Sequence, residues 1–240
     1  MSMQVLAQKA KKQSMPWNTI QQELHNQGFA MIRDFLAPKE CHDLMDLYDQ
    51  RAHFRKTITM ERYRFGKGEY KYFSYPLPLM IESLREELYP YLVPVANAWM
   101  RALKINTLFP ATLKELLEQC HQNHQLRPTP LILKYGKGGY NTLHQDLYGD
   151  VFFPIQAVFF LNVQGKDYTG GEFVLTEQRP RAQSKAIVLQ PGQGDLLFFT
   201  TSFRPVKGAK GYYRVNMKHG VSEVHEGERY ALGVIFHDAR

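Results

Sequence analysis

The stretch Arg127-Pro-Thr-Pro-Leu-Ile-Leu-Lys-Tyr-Gly-Lys-Gly-Gly-Tyr-Asn-Thr-Leu-His-Gln-Asp146 holds two strand-length runs, Thr129 to Tyr135 and Tyr140 to Asp146, divided by a glycine-rich turn. Short runs rich in Leu, Ile, Tyr and Thr and bounded by Gly or Pro read as strands rather than helices. The same rhythm continues downstream. Further runs cover Ile155 to Val163, Glu172 to Thr176, Lys185 to Leu189, Asp195 to Thr200, Tyr212 to Val221 and Arg229 to His237, with turn signals at Gly170-Gly171 and Pro191-Gly192. Eight short strands in two sheets are the arithmetic of a jelly roll, the cupin-like arrangement.

Upstream of Arg127 the periodicity is mostly helical. Gly28 to Phe35 reads as one strand, and Pro38 then suits the first turn of a helix that carries Cys41, Leu44, Leu47 and Tyr48. Leu79 to Leu103 is helical in pattern, with Pro90 and Pro94 expected to kink or split it, and a third helix is expected over Ala111 to His121. The expectation is one α+β domain over residues 1–240, in which a mainly helical part, 1–126, buttresses a β core, 127–240. A chain of 240 residues without internal repeats can bury such a core.

Composition narrows the class. At 44% hydrophobic and 22% charged residues the chain is globular rather than disordered. Two cysteines without a CxxC pattern exclude a disulfide framework and a cysteine-rich zinc site, and a reducing cytoplasm is the expected location. Met1 to Met15 is Gln- and Lys-rich without an apolar core, and no apolar run is long enough to cross a bilayer, so neither export nor a membrane partner is expected. The oligomeric state is left open. A net charge of +7 favours polyanionic partners. The excess is clustered: Thr200 to Gly220 carries five cations and no acid, and Arg62 to Tyr75 mixes Arg62, Arg64, Lys67 and Lys71 with six aromatic residues.

Chemistry concentrates in four residues. His144 and Asp146, two apart on a strand, face one side of it, and a jelly roll can return His219, on the seventh strand, beside the second. Two histidines and one carboxylate with open positions are the facial triad of non-haem Fe(II) oxygenases. Arg229 opens an otherwise apolar strand, where its planar fork suits bidentate binding of a carboxylate.

His144-x-Asp146, His219 and Arg229 resemble the 2-oxoglutarate/Fe(II)-dependent dioxygenase superfamily. More narrowly, HQDLYGD (144–150), TGGEFVLTEQRPR (169–181), QGDLLFF (193–199), RVNMKHGVSEV (214–224) and GERYALGVIFHDA (227–239) resemble a bacterial family of oxygenases for oxidative demethylation of damaged nucleic acid. The resemblance implies a double-stranded β-helix and the cofactors Fe(II), 2-oxoglutarate and O2. It implies that His144, Asp146 and His219 hold the metal, that Arg229 pairs with the far carboxylate of 2-oxoglutarate and that Tyr135 helps bind it. Nucleic acid is the implied substrate, with N-methylated bases as its target. Two alternatives stay open: hydroxylation of a protein side chain, as in prolyl hydroxylases, or of a small molecule; and a non-catalytic jelly-roll binding module that uses the basic surface and no iron.

The aromatic and basic segment Arg62 to Tyr75 reads equally as a lid that stacks a base, with Tyr70 and Tyr72 as contacts, or as a hairpin about Gly66-Lys-Gly68 with its lysines in water. Arg179, Lys207 and Lys210 are further candidates for substrate contact, with a solvated hairpin as the default for the two lysines. His225 and His237 lack a carboxylate two residues on and are expected not to be ligands.

Overall fold

The computed structural model describes residues 14–240; most of the Gln- and Lys-rich start lies outside them. In chain order the helices are α1 (Trp17–Gln27), α2 (Pro38–Asp46), α3 (Leu79–Ala102) and α4 (Leu113–Gln122). The strands of the first half are β1 (Phe29–Ile32), β2 (Phe54–Thr59), β3 (Gly66–Lys67) and β4 (Glu69–Phe73). Then come β5 (Leu131–Tyr135), β6 (Tyr140–His144), β7 (Ile155–Phe160), β8 (Tyr168–Gly170), β9 (Phe173–Gln178) and β10 (Lys185–Leu189). The chain finishes with β11 (Leu196–Thr200), β12 (Phe203–Gly208), β13 (Gly211–Val221), β14 (Val224–Gly227) and β15 (Arg229–Val234).

All eight strands expected beyond Arg127 form, and they divide four and four. One sheet runs β1-β11-β7-β15-β5-β4-β2 and the other β10-β9-β13-β6-β3, so each has four core strands and takes in strands from the first half. This is the double-stranded β-helix. The mainly helical first part does more than buttress it: β4 and β2 extend the larger sheet beyond β5, while β3 pairs with β6 in the smaller one. Their short, mixed, charge-rich runs lack the apolar alternation that marks the later strands.

Strands β7 and β11 of the large sheet pack on both faces. On β7, Ile155, Ala157 and Phe159 meet the helices, while Val158 and Phe160 meet the opposite sheet; on β11, Leu196 and Phe198 turn outward and Leu197 and Phe199 inward. That is why these strands are nearly continuous apolar runs. Leu84, Leu88, Leu92 and Trp99 of α3 fill the outer layer. Pro90 and Pro94 do not split this helix. Both sit on its exposed face, one turn apart, so the carbonyls that lose a backbone donor face water. Helix α4 starts on a capping box in which Thr112 Oγ1 accepts from Glu115 N. Among the described residues no helix is long and apolar enough to cross a membrane.

Beyond β15 the chain is clamped. The buried Arg85 of α3 donates to the carbonyls of Ile235 and Phe236 and to Asp238 Oδ1 at 2.8 Å. Ile235 then lines the cavity described next.

Candidate active site

Between the two sheets lies a cavity of about 220 Å3. At its metal-competent end, His219 on β13 stands opposite His144 on β6 in the strand register, which is how residues 75 positions apart meet. The ring centroids are 4.1 Å apart. Strand β6 stops at His144, so Asp146 lies past its end rather than on the strand as expected. The intervening Gln145 holds this turn by donating to the carbonyls of Ser202 and Met217, each at 2.8 Å. Asp146 is turned back so that its Oδ1 lies 3.7 Å from His144 Nε2 and its Oδ2 3.3 Å from His219 Nε2.

Hydrogen bonds fix His144 and Asp146, whereas the buried Nδ1 of His219 has no partner among the described residues. His144 Nδ1–H donates to the Thr142 carbonyl at 2.8 Å, which leaves its Nε2 lone pair turned towards Asp146. Tyr148 donates to Asp146 Oδ1 at 2.6 Å and Gln156 donates to Oδ2 at 2.8 Å. Tyr72 in turn donates to the Tyr148 hydroxyl at 3.2 Å. Burial works against ionising Asp146, but its hydrogen bond and charge interaction with His219, joined by His144 and Tyr148, hold it well below the usual carboxylate range. Burial, with His144 beside it, lowers the pKa of His219 against the opposing pull of Asp146. Two imidazoles and a carboxylate, with donor atoms all within 4.8 Å of one another, make an N/O set that suits Fe(II). The described residues contain no other such group of His, Cys, Asp or Glu.

Sequence reasoning passes over Tyr148 and Gln156; the only local sign is that Tyr148 follows Asp146 by two positions. Tyr148→Phe removes one of the two donors that orient Asp146, and divalent metal affinity is expected to fall about tenfold while the fold persists. Anaerobic titration with Mn(II) checks this; unchanged affinity would mean that Gln156 alone suffices.

The other end of the cavity holds a cation. Arg229 opens β15 beside Tyr135 of β5 and is 2% exposed. Its guanidinium carbon lies 5.5 Å from the ring centroids of Tyr135 and Phe160 and 6.0 Å from that of Tyr168. Its Nε has no hydrogen-bond partner, and no carboxylate among the described residues pairs with it. Its hydrogen-bond partner Tyr168 carries no charge, and burying a cation without a countercharge costs several kcal/mol, which a bound anion offsets. Burial pushes the Tyr135 hydroxyl up to about 12, so it stays protonated and able to donate.

The remaining predicted residues separate. Tyr70 and Tyr72 line the cavity, with Phe65 and Tyr148. Arg179 lies outside the lining, at the end of β9, paired with Glu177 at 2.7 Å. Lys207 and Lys210 belong to the β12–β13 hairpin tip; Lys207 pairs with Tyr212, seven residues before His219. At the rise of an extended strand that is roughly 23 Å. Arg204 is buried against Glu177. His237 is no ligand: buried and uncharged, with a pKa lowered by burial to about 3, it accepts from Phe153 N.

The comparisons agree with this geometry. The profile of the family Oxygenase-NA, described as an oxygenase catalysing oxidative methylation of damaged DNA, matches residues 68–239. An uncharacterized protein of Mycobacterium tuberculosis is 48% identical over 167 residues, which span 70% of this chain and 72% of that protein. Two solved structures share the fold. A prolyl-4-hydroxylase of Pseudomonas putida superposes with a TM-score of 0.51 at 15% identity, over 93% of this chain and 99% of that one. An oxidoreductase of the 2OG-Fe(II) oxygenase family from Burkholderia pseudomallei gives 0.51 at 14% identity, over 94% and 93%. The chain therefore belongs to the Oxygenase-NA family, an oxygenase on the double-stranded β-helix of 2-oxoglutarate/Fe(II) enzymes, whose cofactor set of Fe(II), 2-oxoglutarate and O2 fits its His-Asp-His cluster.

Proposed function

We propose that this oxygenase removes methyl groups from N-methylated bases of nucleic acid by oxidising them. His144, Asp146 and His219 hold the iron, and Arg229 takes the far carboxylate of 2-oxoglutarate, assisted by Tyr135. Bound iron, with 2-oxoglutarate and O2, supplies a hydroxylating oxidant, and the cosubstrate leaves as succinate and carbon dioxide. A hydroxylated N-methyl group breaks its C–N bond, releasing formaldehyde and leaving N–H on the base. The chain's own part is positional. Tyr148 and Gln156 orient Asp146, Thr142 fixes His144, and the apolar lining of Leu131, Leu133, Ala231 and Ile235 excludes water.

The observation that supports nucleic acid is the aromatic wall. Arg62 to Tyr75 borders the candidate metal site, and its Phe65, Tyr70 and Tyr72 line the cavity. Flat apolar faces beside an oxidising centre suit an unstacked base. Methylated oligonucleotides are expected to release one formaldehyde per 2-oxoglutarate consumed. Turnover that stays at its uncoupled level with methylated single-stranded and duplex DNA and RNA would overturn this reading in favour of peptide or small-molecule hydroxylation.

A further inference from the structure

Phe65 lines the cavity and Tyr63 is its neighbour outside the lining, 46% and 51% exposed. Their rings stack on one another, with centroids 5.5 Å apart and planes within 18°. Large aromatic faces left in water are informative when they are held in place. These are. The Phe65 carbonyl accepts from both the backbone N–H and the hydroxyl of Thr142, each at 2.8 Å, and Thr142 is the residue whose own carbonyl fixes His144. Met60, fully buried, anchors the start of the same loop in a cluster with Tyr135 and Val221. Gly66 adopts φ +140° against β6, where a Cβ would stand 2.2 Å from the Tyr140 carbonyl oxygen. The stack is therefore a rigid ledge beside the candidate metal site.

The charge around it is predominantly positive. Residues 51–71 carry seven Lys and Arg against two Glu. Both acids are turned to internal partners: Glu61 accepts from Gly68 N and Glu69 from the Tyr48 hydroxyl. Arg62 and Arg64 flank Tyr63 in sequence. Aromatic faces interleaved with cations are how proteins hold single strands, the faces stacking on bases and the cations following phosphates. Building on the nucleic-acid substrate proposed above, we infer that the Tyr63–Phe65 ledge stacks an unpaired base that flanks the one in the cavity, so that the substrate is single-stranded nucleic acid. A base inside a duplex is paired and stacked on both sides and presents no free face to such a ledge.

Fluorescence anisotropy of the full chain with Mn(II) and 2-oxoglutarate tests this, using an unmethylated oligothymidylate and a duplex of equal length. The single strand is expected to bind more tightly. Tyr63→Ala is expected to weaken it about tenfold, the loss of one base–aromatic stack, with the salt slope unchanged, and Tyr63→Phe to restore it. Arg62→Gln is expected to flatten the log-affinity against log-salt slope by about 0.7, the value of one phosphate contact on a single strand. Tighter duplex binding, wild-type affinity in Tyr63→Ala, or displacement of the oligonucleotide by an unstructured peptide of equal charge would overturn the ledge. Demethylation is scored separately. Formaldehyde release by the wild type together with an indifferent Tyr63→Ala sinks the ledge alone, whereas ledge-dependent binding without formaldehyde sinks the chemistry alone.

Discussion

His144→Ala is expected to leave no measurable 2-oxoglutarate turnover and to weaken divalent metal binding by more than about a hundredfold, beyond the range seen when only a supporting partner of a ligand is lost. Two remaining donors, Asp146 and His219, close a small arc around the ion and leave it to water. The variant should fold normally. His144 sits at a strand end with about a third of its side chain exposed, and its only described hydrogen bond is to the Thr142 carbonyl. Near-ultraviolet circular dichroism reports the fold, and anaerobic Mn(II) titration reports the metal. Absence of stoichiometric metal binding by the wild-type chain would end the catalytic reading.

Arg229→Ala separates cosubstrate from metal. It removes a carboxylate partner and no metal donor, so KM for 2-oxoglutarate is expected to rise about two orders of magnitude, the effect of losing roughly 3 kcal/mol of charge-assisted hydrogen bonding. Metal affinity should stay close to wild type. Arg229→Lys is expected to recover only part of the loss, because the second tooth of the fork is gone. The ligand-free alanine variant need not be less stable, since an isolated buried cation is itself unfavourable. An unchanged KM would assign the far carboxylate to another group.

Core strands were legible because they satisfy two faces at once: β7 and β11 are apolar at every packed position but Gln156 and Thr200, and turns rich in Gly and Pro bound them. His144 and Asp146 were legible through their spacing, although Asp146 reaches the site from a turn pinned by Gln145 and not from the strand. His219 needed the topology as well as the residue. The supports were not legible, because Tyr148 and Gln156 act through contacts that no spacing rule marks. Charge clusters carry no position for a related reason. Lys207 and Lys210 are dense in sequence, but nothing in a run of cations says which end of a hairpin it occupies, and here it is the tip away from His219. The proline pair in α3 shows the same limit, since exposure decides whether a lost donor matters.

Between β2 and β4 the chain is held by two sheets at once, β4 on β5 and β3 on β6. A flap hinged on one sheet could swing; this segment adds edge strands to both sheets and is tied to each. The doorway of this enzyme is accordingly framed from both sheets, and selection falls to what fits through it. For anyone wishing to redirect the enzyme to a different target, the adjustable part is the exposed five-residue span 61–65 that follows the buried Met60. Its side chains and length can change while both sheets keep their registers, much as a lock is rekeyed without moving the door.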